Sequence, residues 1–125
     1  MLINYHVGDF FLLTLIYEKY DAAALIYAHF PPTILSSYYK KTAELVKRGG
    51  MLILEGFSKG NIPYREANPS IGGPDKLEML FSTVEIESYF PDFALIQMEE
   101  KEVLLNEGKY HKGIGKVIRF VGIKI

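Results

Sequence analysis

Residues 20–58 read YDAAALIYAHFPPTILSSYYKKTAELVKRGGMLILEGFS, and this stretch decides the fold. Two short apolar runs, Ala22–Ala28 and Met51–Leu54, stand on either side of a longer amphipathic segment. This alternation is typical of a strand–helix–strand crossover, which joins two parallel strands of one sheet. Pro31-Pro32 favours a helix that begins directly after the first run, and Gly49-Gly50 favours its end before the second. We therefore predict a parallel sheet whose first strand is buried on both faces.

Polar residues follow both predicted strands. His29 comes after the first strand and Glu55 after the second. In open α/β sheets, ligands bind at the carboxyl ends of the strands, so these two turns are expected to border any site. His29 could orient a substrate or act as a base, because an imidazole titrates near neutral pH; packing within the turn is the alternative. Glu55 is expected to cap the next backbone turn, with catalysis as the alternative.

Composition excludes several classes of function. The chain of 125 residues is long enough for one domain, and its 49% of hydrophobic residues argues against disorder. A net charge of −1 leaves no excess of positive charge that would indicate binding to nucleic acid. The absence of cysteine excludes disulfides, zinc–thiolate sites and cysteine nucleophiles, and three scattered histidines form no metal-ligand pattern. The apolar run from Phe10 is too short to span a bilayer, so we expect a soluble, cytoplasmic protein without membrane contact.

The N-terminal residues predict a further strand and helix. Leu2–Val7 is rich in strand formers, and Gly8-Asp9 interrupts it. The apolar residues of Phe10–Lys19 fall near helical spacing but cover a wide arc. We therefore expect a short helix that is well buried or lies at an interface.

After the crossover, the pattern changes to a loop and then to antiparallel strands. Residues 59–81 are rich in glycine and proline, and long loops of this kind often cover a site. A capping box, Ser82–Glu85, predicts a helix over about Thr83–Tyr89. Apolar residues then predict one long strand over Phe93–Leu105, a wide hairpin turn, and a last strand over Lys116–Ile125.

Several short motifs in this order are familiar. They are Val7-Gly8-Asp9, Tyr20-Asp21 with Ala28-His29-Phe30-Pro31, Lys47-Arg48-Gly49-Gly50 with Leu52-Ile53-Leu54-Glu55, Asn68-Pro69 with Gly72-Gly73-Pro74, and Asn106-Glu107-Gly108 with Tyr110-His111. Together they cover nearly the whole chain, which resembles the C-terminal half of a class I S-adenosylmethionine-dependent methyltransferase of the tellurite-resistance type. The resemblance implies an α/β fold: a partial Rossmann-like mixed sheet with parallel strands, crossover helices and a C-terminal antiparallel hairpin.

We accordingly predict a single methyltransferase-like domain over residues 1–125. Its predicted parts are an N-terminal strand and helix that can form a dimer (1–20), the strand–helix–strand core (20–58), a loop (59–81), and a helix with the C-terminal hairpin (82–125).

The resemblance also implies the activity and part of the site. The expected reaction is methyl transfer from S-adenosylmethionine to a small-molecule acceptor. By the same resemblance, Asp9 lies near the adenine, with helix capping as a compatible alternative. The residues that we assign to the cofactor are Asp9, Phe10, Tyr27 and Ala28. Phe30 belongs to the turn that lines the substrate pocket.

Two further groups of residues are candidates from their place in the chain. Glu107 and His111 flank the hairpin turn, on the sheet edge expected to hold His29. We assign catalytic roles to His29, Glu107 and His111, because a carboxylate and an imidazole could take up a proton; bracing of the hairpin is the alternative for the last two. Tyr64, Arg65 and Asn68 in the loop could contact an anionic substrate, with ordinary solvation as the alternative.

One feature of the family is missing from this sequence. The glycine-rich turn that cradles the methionine end of the cofactor has no counterpart before Asp9, and no acidic residue stands in the ribose-binding position. Two hypotheses follow. Either another chain supplies the complementary N-terminal half, or the chain is a truncated, inactive domain with a structural or interaction role. In both cases the far edge of the first strand lacks its partner, so we expect Leu2–Val7 to pair there or two chains to form a homodimer.

Overall fold

The computed structural model describes residues 2–108 and 111–125, so Tyr110 of the hairpin motif lies outside the described residues. The strands form one four-stranded sheet in the order β1-β2-β4-β3, in which β1 and β2 are parallel and the other pairs are antiparallel. This architecture confirms the predicted fold class. The strands are β1 (Tyr20–Ile26), β2 (Val46–Phe57), β3 (Phe93–Glu107) and β4 (His111–Lys124), and the helices are α1 (Pro32–Leu45), α2 (Ile62–Ala67) and α3 (Thr83–Tyr89).

The crossover helix α1 ends three residues earlier than its glycines predict. It begins behind Pro31 as expected, but Val46 is already in β2, and Gly49-Gly50 lies within that strand. The ammonium group of Lys124 explains the early end, because it donates hydrogen bonds to the carbonyls of Ala43 (2.9 Å) and Val46 (2.8 Å). A lysine from the last strand therefore caps the helix terminus, where a positive charge is favoured.

One face of the sheet carries the main core. Leu52 and Leu54 of β2 are buried there against α1 and α3, together with Tyr39, which is completely buried. Helical spacing predicts Tyr38 of the same helix in the buried stripe, but it is only half-buried, and Tyr39 takes the buried position instead. The buried members of this core are Leu35, Tyr39, Val46, Leu52, Leu54, Phe81, Ile86, Phe90, Phe93, Ile118 and Phe120.

Short helical turns cover the end of the opposite face. The predicted loop after β2 contains α2 and three turns of 3-10 helix, and it buries Ile71 and Leu80 against Phe57. Within it, buried Asn61 accepts a hydrogen bond from the Lys116 amide at 2.9 Å, which fastens the segment to β4. The loop is thus a packed cover over one end of the sheet.

β1 is an edge strand with one open face, and the prediction of burial on both faces is wrong. Ala23 and Leu25 pack against the main core. The alternate residues Ala22, Ala24 and Ile26 are exposed, with 54% of Ile26 accessible. Among the described residues no helix covers this face and no strand pairs with the outer edge. Side chains on the uncovered face therefore remain in water.

The N-terminal predictions are also wrong. Leu2–Val7 forms no strand and does not pair with β1, and the only helical turn within Phe10–Lys19 is the 3-10 turn Phe10–Leu12. Leu2 and Val7 are 96% and 99% exposed, so the segment is an extended arm. Its apolar arc has too few neighbours in this structure to order a longer helix, since most helical stability comes from packing.

Lys41 fastens this arm to α1. The sequence places it on the solvated face of the helix, but only 8% of it is exposed. Its ammonium group donates to the carbonyls of Phe10 (2.6 Å), Phe11 (3.0 Å) and Leu13 (2.7 Å). Three charge-assisted hydrogen bonds satisfy carbonyls that a single helical turn leaves free, which explains the burial of this charge.

The remaining elements largely follow their predictions. Ser82 caps α3 through a hydrogen bond from the Glu85 amide at 3.2 Å, as the capping box predicts. β3 and β4 form a long hairpin, and β4 begins at His111 rather than Lys116. Within the described residues, no helix has the length and apolar character needed to cross a bilayer.

Replacement of Lys41 by methionine tests the anchoring of the arm. The change keeps the apolar stem but removes the three hydrogen bonds, so we expect about 1–2 kcal/mol of lost stability. Proteolysis within residues 2–17 should become much faster. Lys40→Met is the matched control, because Lys40 is the exposed neighbour on the same helix. Equal cleavage rates in the two variants would contradict the anchoring role.

Candidate functional site

Tyr27 stands at the carboxyl end of β1 in an unusual conformation. Its φ is +52°, which is uncommon for a residue other than glycine and often marks a functional position. Its amide donates to the carbonyl of Glu55 (2.7 Å), and its hydroxyl donates to Glu55 Oε2 (2.8 Å). Leu25 points into the main core, whereas Tyr27 lies on the Phe57 ring at 5.0 Å. The left-handed backbone thus turns the tyrosine toward the open face.

Glu55 joins Tyr27 to a third side chain. Its partner in the β2–β4 register is Arg119, whose Nε donates to Glu55 Oε1. Both carboxylate oxygens are therefore occupied. Burial and the hydrogen bond to Glu55 raise the pKa of Tyr27, so its phenol stays protonated and remains a donor. The Glu55 carboxylate likewise raises the pKa of Arg119.

His111 completes this group from the start of β4. Its ring lies 5.4 Å from that of Tyr27 and 5.5 Å from that of Phe57. Its Nδ1 stands 3.6 Å from Glu107 Oε2, across the end of the hairpin. We call Tyr27, Glu55, Glu107, His111 and Arg119 the edge cluster. It unites three predicted site residues, Tyr27, Glu107 and His111, although they were assigned to different roles.

Arg119 is the member of the edge cluster that sequence reasoning missed. It lies among the alternating apolar residues of the last strand, and such an arginine is usually solvated. Its meeting with Glu55 depends on the register between β2 and β4. The alternation of apolar and polar residues predicts which face of a strand a side chain lies on. It does not predict that Arg119 pairs with Glu55, which lies 64 positions away in the sequence.

His29 lies on the other side of β2 and uses both ring nitrogens. Nε2 accepts a hydrogen bond from the Phe57 amide at 3.0 Å, so Nδ1 is the nitrogen that donates to the Met79 carbonyl at 2.8 Å. Its ring stacks on Phe81 at 4.4 Å. Burial lowers the pKa of this imidazole and keeps it neutral. These contacts favour the packing alternative over a catalytic role.

Asp9, Phe10 and Phe30 lie around Tyr38 of α1. Asp9 Oδ1 accepts hydrogen bonds from the Phe11 amide (2.9 Å) and the Tyr38 hydroxyl (2.7 Å), which together lower the pKa of its carboxyl. The rings of Phe10 and Phe30 lie 5.9 and 4.7 Å from that of Tyr38. Asp9 thus caps its 3-10 turn, and a cavity of about 240 Å³ lies beside it. We call Asp9, Phe10, Phe30 and Tyr38 the helix cluster.

The loop candidates hold the cover in place. Tyr64 donates a hydrogen bond to Glu102 of β3, and Arg65 Nε donates to the Gly73 carbonyl at 3.1 Å. Asn68 accepts from the Ser70 amide at 3.2 Å. The structure therefore gives all three side chains partners within the protein. Ala28, the last cofactor candidate, accepts a hydrogen bond from the Tyr39 hydroxyl at 3.4 Å.

The edge cluster fits one part of S-adenosylmethionine. Aromatic faces at Tyr27 and His111, together with the exposed carboxylate of Glu107, suit a flat base or a cationic sulfonium. Neither glycine pair supplies the missing turn, because Gly49-Gly50 lies within β2 and Gly72-Gly73 follows a 3-10 turn rather than a strand. The described residues therefore include no glycine-rich turn from a strand into a helix that would hold the methionine end of the cofactor.

Comparison with known proteins identifies structures with a similar fold. No protein-family model matches the sequence, and no match was found among curated protein sequences. A SAM-dependent methyltransferase from Methanosarcina mazei aligns over 96% of this chain and 66% of its own, with a TM-score of 0.69 and 14% identity. TehB from Haemophilus influenzae aligns over 88% of this chain and 37% of its own, with a TM-score of 0.59 and 16% identity. Magnesium protoporphyrin IX methyltransferase from Synechocystis, with bound SAH, aligns over 94% and 49%, with a TM-score of 0.60 and 15% identity.

These similarities show a shared fold. The chain spans between about one third and two thirds of the length of these three methyltransferases. The fold is therefore a methyltransferase-like one, and TehB is among its structural neighbours.

The two hydrogen bonds of His29 lead to a prediction about pH. Because the folded pKa is lowered, the unfolded chain binds the proton first, and stability should fall as pH drops below about 6.5 toward the folded value. In His29→Gln this fall should flatten, since an amide can accept from Phe57 and donate to Met79. His29→Leu should lose about 1–3 kcal/mol, because the buried Phe57 amide has no partner.

Chemical denaturation across about pH 4 to 8, a range that spans the titration of histidine, measures this dependence. His6→Gln, in the exposed arm, controls for the loss of an imidazole elsewhere. The bracing role would be refuted if His29→Gln and the control showed the same pH dependence.

Proposed function

We propose that the edge cluster forms the acceptor-facing side of an S-adenosylmethionine-dependent methyltransferase site that acts on a small molecule. The observation that carries the proposal is the convergence of Tyr27, Glu55 and His111 at the carboxyl end of the parallel pair β1–β2. This is the end at which open α/β sheets bind their ligands. The methyltransferase-like fold supports the same assignment.

His111 and Glu107 have the roles of proton acceptor and positioning group. An oxygen or nitrogen nucleophile must lose a proton when it takes up a methyl group, and a neutral imidazole can accept it. Because Nδ1 faces Glu107, Nε2 is the nitrogen that would meet the acceptor. Glu107 would then orient the ring and stabilise the imidazolium that forms.

Tyr27 and Ala28 are the cofactor contacts that the proposal retains. The cofactor supplies the methyl group, and the Tyr27 ring offers an aromatic face for its adenine or sulfonium. Asp9, Phe10 and Phe30 belong to the helix cluster instead, and the carboxylate of Asp9 is already hydrogen-bonded. Tyr64, Arg65 and Asn68 act in this proposal as braces of the cover.

A second candidate function is an interaction module without catalysis. The observation that favours it is the lack of a glycine-rich turn from a strand into a helix among the described residues. In the first proposal another chain would supply the remaining side of the site, whereas in this one the exposed side of β1 serves binding to protein alone. The affinity of the chain for the cofactor separates the two.

Calorimetric titration of S-adenosylmethionine into the purified chain tests the first proposal. We expect weak binding, with a Kd of about 0.1–1 mM, because only one side of the cofactor finds contacts. Tyr27→Leu should weaken binding by about three- to tenfold, since it removes the aromatic face. Tyr38→Leu, in the helix cluster, is the matched control and should bind as the unchanged chain does.

Two results would contradict this proposal. One is the absence of any heat of binding at millimolar cofactor, which would favour the interaction module. The other is binding that Tyr38→Leu abolishes and Tyr27→Leu leaves intact, which would move the site to the helix cluster.

A further inference from the structure

The two edges of the sheet differ in how they are protected. The outer strand β3 has a bulge between Leu95 and Gln97 and then four consecutive charged residues, Glu99–Glu102. Bulges and charges are the usual devices that prevent a further strand from adding to an edge. The other outer strand, β1, has one charged residue, Asp21, and continues as Ala-Ala-Ala-Leu-Ile. Only β1 is therefore suited to accept a strand.

The backbone of β1 presents a regular set of free groups at this edge. The amide of Tyr27 points to β2, where it donates to the Glu55 carbonyl. Because successive backbone groups alternate in direction, those of Ala23 and Leu25 also point to β2, and those of Ala22, Ala24 and Ile26 point outward. No described residue accepts or donates there. Three amides and three carbonyls are thus available for a ladder.

We propose that a second copy of this chain occupies the edge, with β1 pairing antiparallel to β1 of the other copy around a two-fold axis through Ala23. This register places Ala22 opposite Ala24 of the second copy, so no large side chain obstructs the ladder. It also places Tyr20 of each copy opposite Ile26 of the other, so the pair occurs at both ends of the ladder. Both side chains are exposed in the single chain. Such aromatic–β-branched pairs stabilise antiparallel strands.

The arm adds apolar surface to this interface. Two seven-residue strands bury little by themselves, whereas a stable interface buries about 800 Å² per partner. The arm lies beside the start of β1, with Leu2 and Ile3 along one cavity with Tyr20 and Ala22. In the antiparallel pair, the start of one β1 meets the end of the other, so each arm can cover Ile26 of the second copy. A net charge of −1 leaves little repulsion between copies.

The pairing also concerns the edge cluster. The end of β1 that carries Tyr27 would face the residues before β1 of the second copy, so each site would gain a wall from its neighbour. This consequence rests on the proposed function, but the pairing itself does not. It is tested without cofactor, and its failure is therefore distinguishable from a failure to bind S-adenosylmethionine.

Sedimentation velocity over a concentration series tests the pairing. We expect a mass of twice 14.2 kDa for the unchanged chain. Ile26→Lys should weaken the dimer at least about tenfold in Kd, because a charge replaces an apolar side chain at each end of the ladder. The matched control is Ile96→Lys, at an isoleucine of the protected edge that is 63% exposed, against 54% for Ile26. It should leave the dimer intact.

Amide hydrogen exchange identifies the contact without any substitution. The amide of Ala24 should exchange slowly at high protein concentration and quickly on dilution, as it is paired only in the dimer. A chain that stays monomeric at its highest soluble concentration would overturn the proposal and leave the edge to a different partner. A dimer that both lysine variants weaken equally, or neither weakens, would overturn it too.

Discussion

The parallel pairing of β1 with β2 determines both the fold and the candidate site. Its register sets Ile26 beside Glu55, and the next residue, Tyr27, then bonds to Glu55 with both its amide and its hydroxyl. A shift of one residue in this pair would move Tyr27 away from Glu55, whereas the contact between Glu55 and Arg119 depends on the register between β2 and β4. The edge cluster exists only because this register holds, and the left-handed backbone of Tyr27 is the local adjustment that completes it.

Several charged or titratable side chains in this protein stabilise backbone rather than perform chemistry. Lys41 donates to carbonyls at the 3-10 turn of the arm, and Lys124 donates to carbonyls at the end of α1. His29 joins the end of β2 to the loop that covers it. In each case the group is partly or fully buried and has its hydrogen bonds satisfied, as burial requires. Residues already occupied in this way are poor candidates for substrate contact, which leaves Glu107 and His111 as the members of the edge cluster with accessible polar atoms.

The sequence predicted the parts of the fold that depend on local pattern. The crossover over residues 20–58, the capped helix α3 and the C-terminal hairpin follow from apolar periodicity and capping residues, and the structure confirms them. The N-terminal helix failed because its apolar arc needs neighbours that the described chain lacks. The early end of α1 could not be predicted, since Lys124 lies 78 positions from Val46. For the site, the family resemblance indicated Tyr27 and the carboxyl ends of the strands indicated Glu55, but the role of Arg119 depends on register, which alternation does not encode.

The most direct test of the account is a backbone-amide NMR titration of the chain with S-adenosylmethionine, which shows where the cofactor binds. The account predicts progressive shifts at Tyr27, Ala28 and His111, with residues around Tyr38 unchanged. Shifts that begin at Asp9, Phe10 and Tyr38 while the edge cluster stays constant would contradict it, and so would a spectrum that does not change at all.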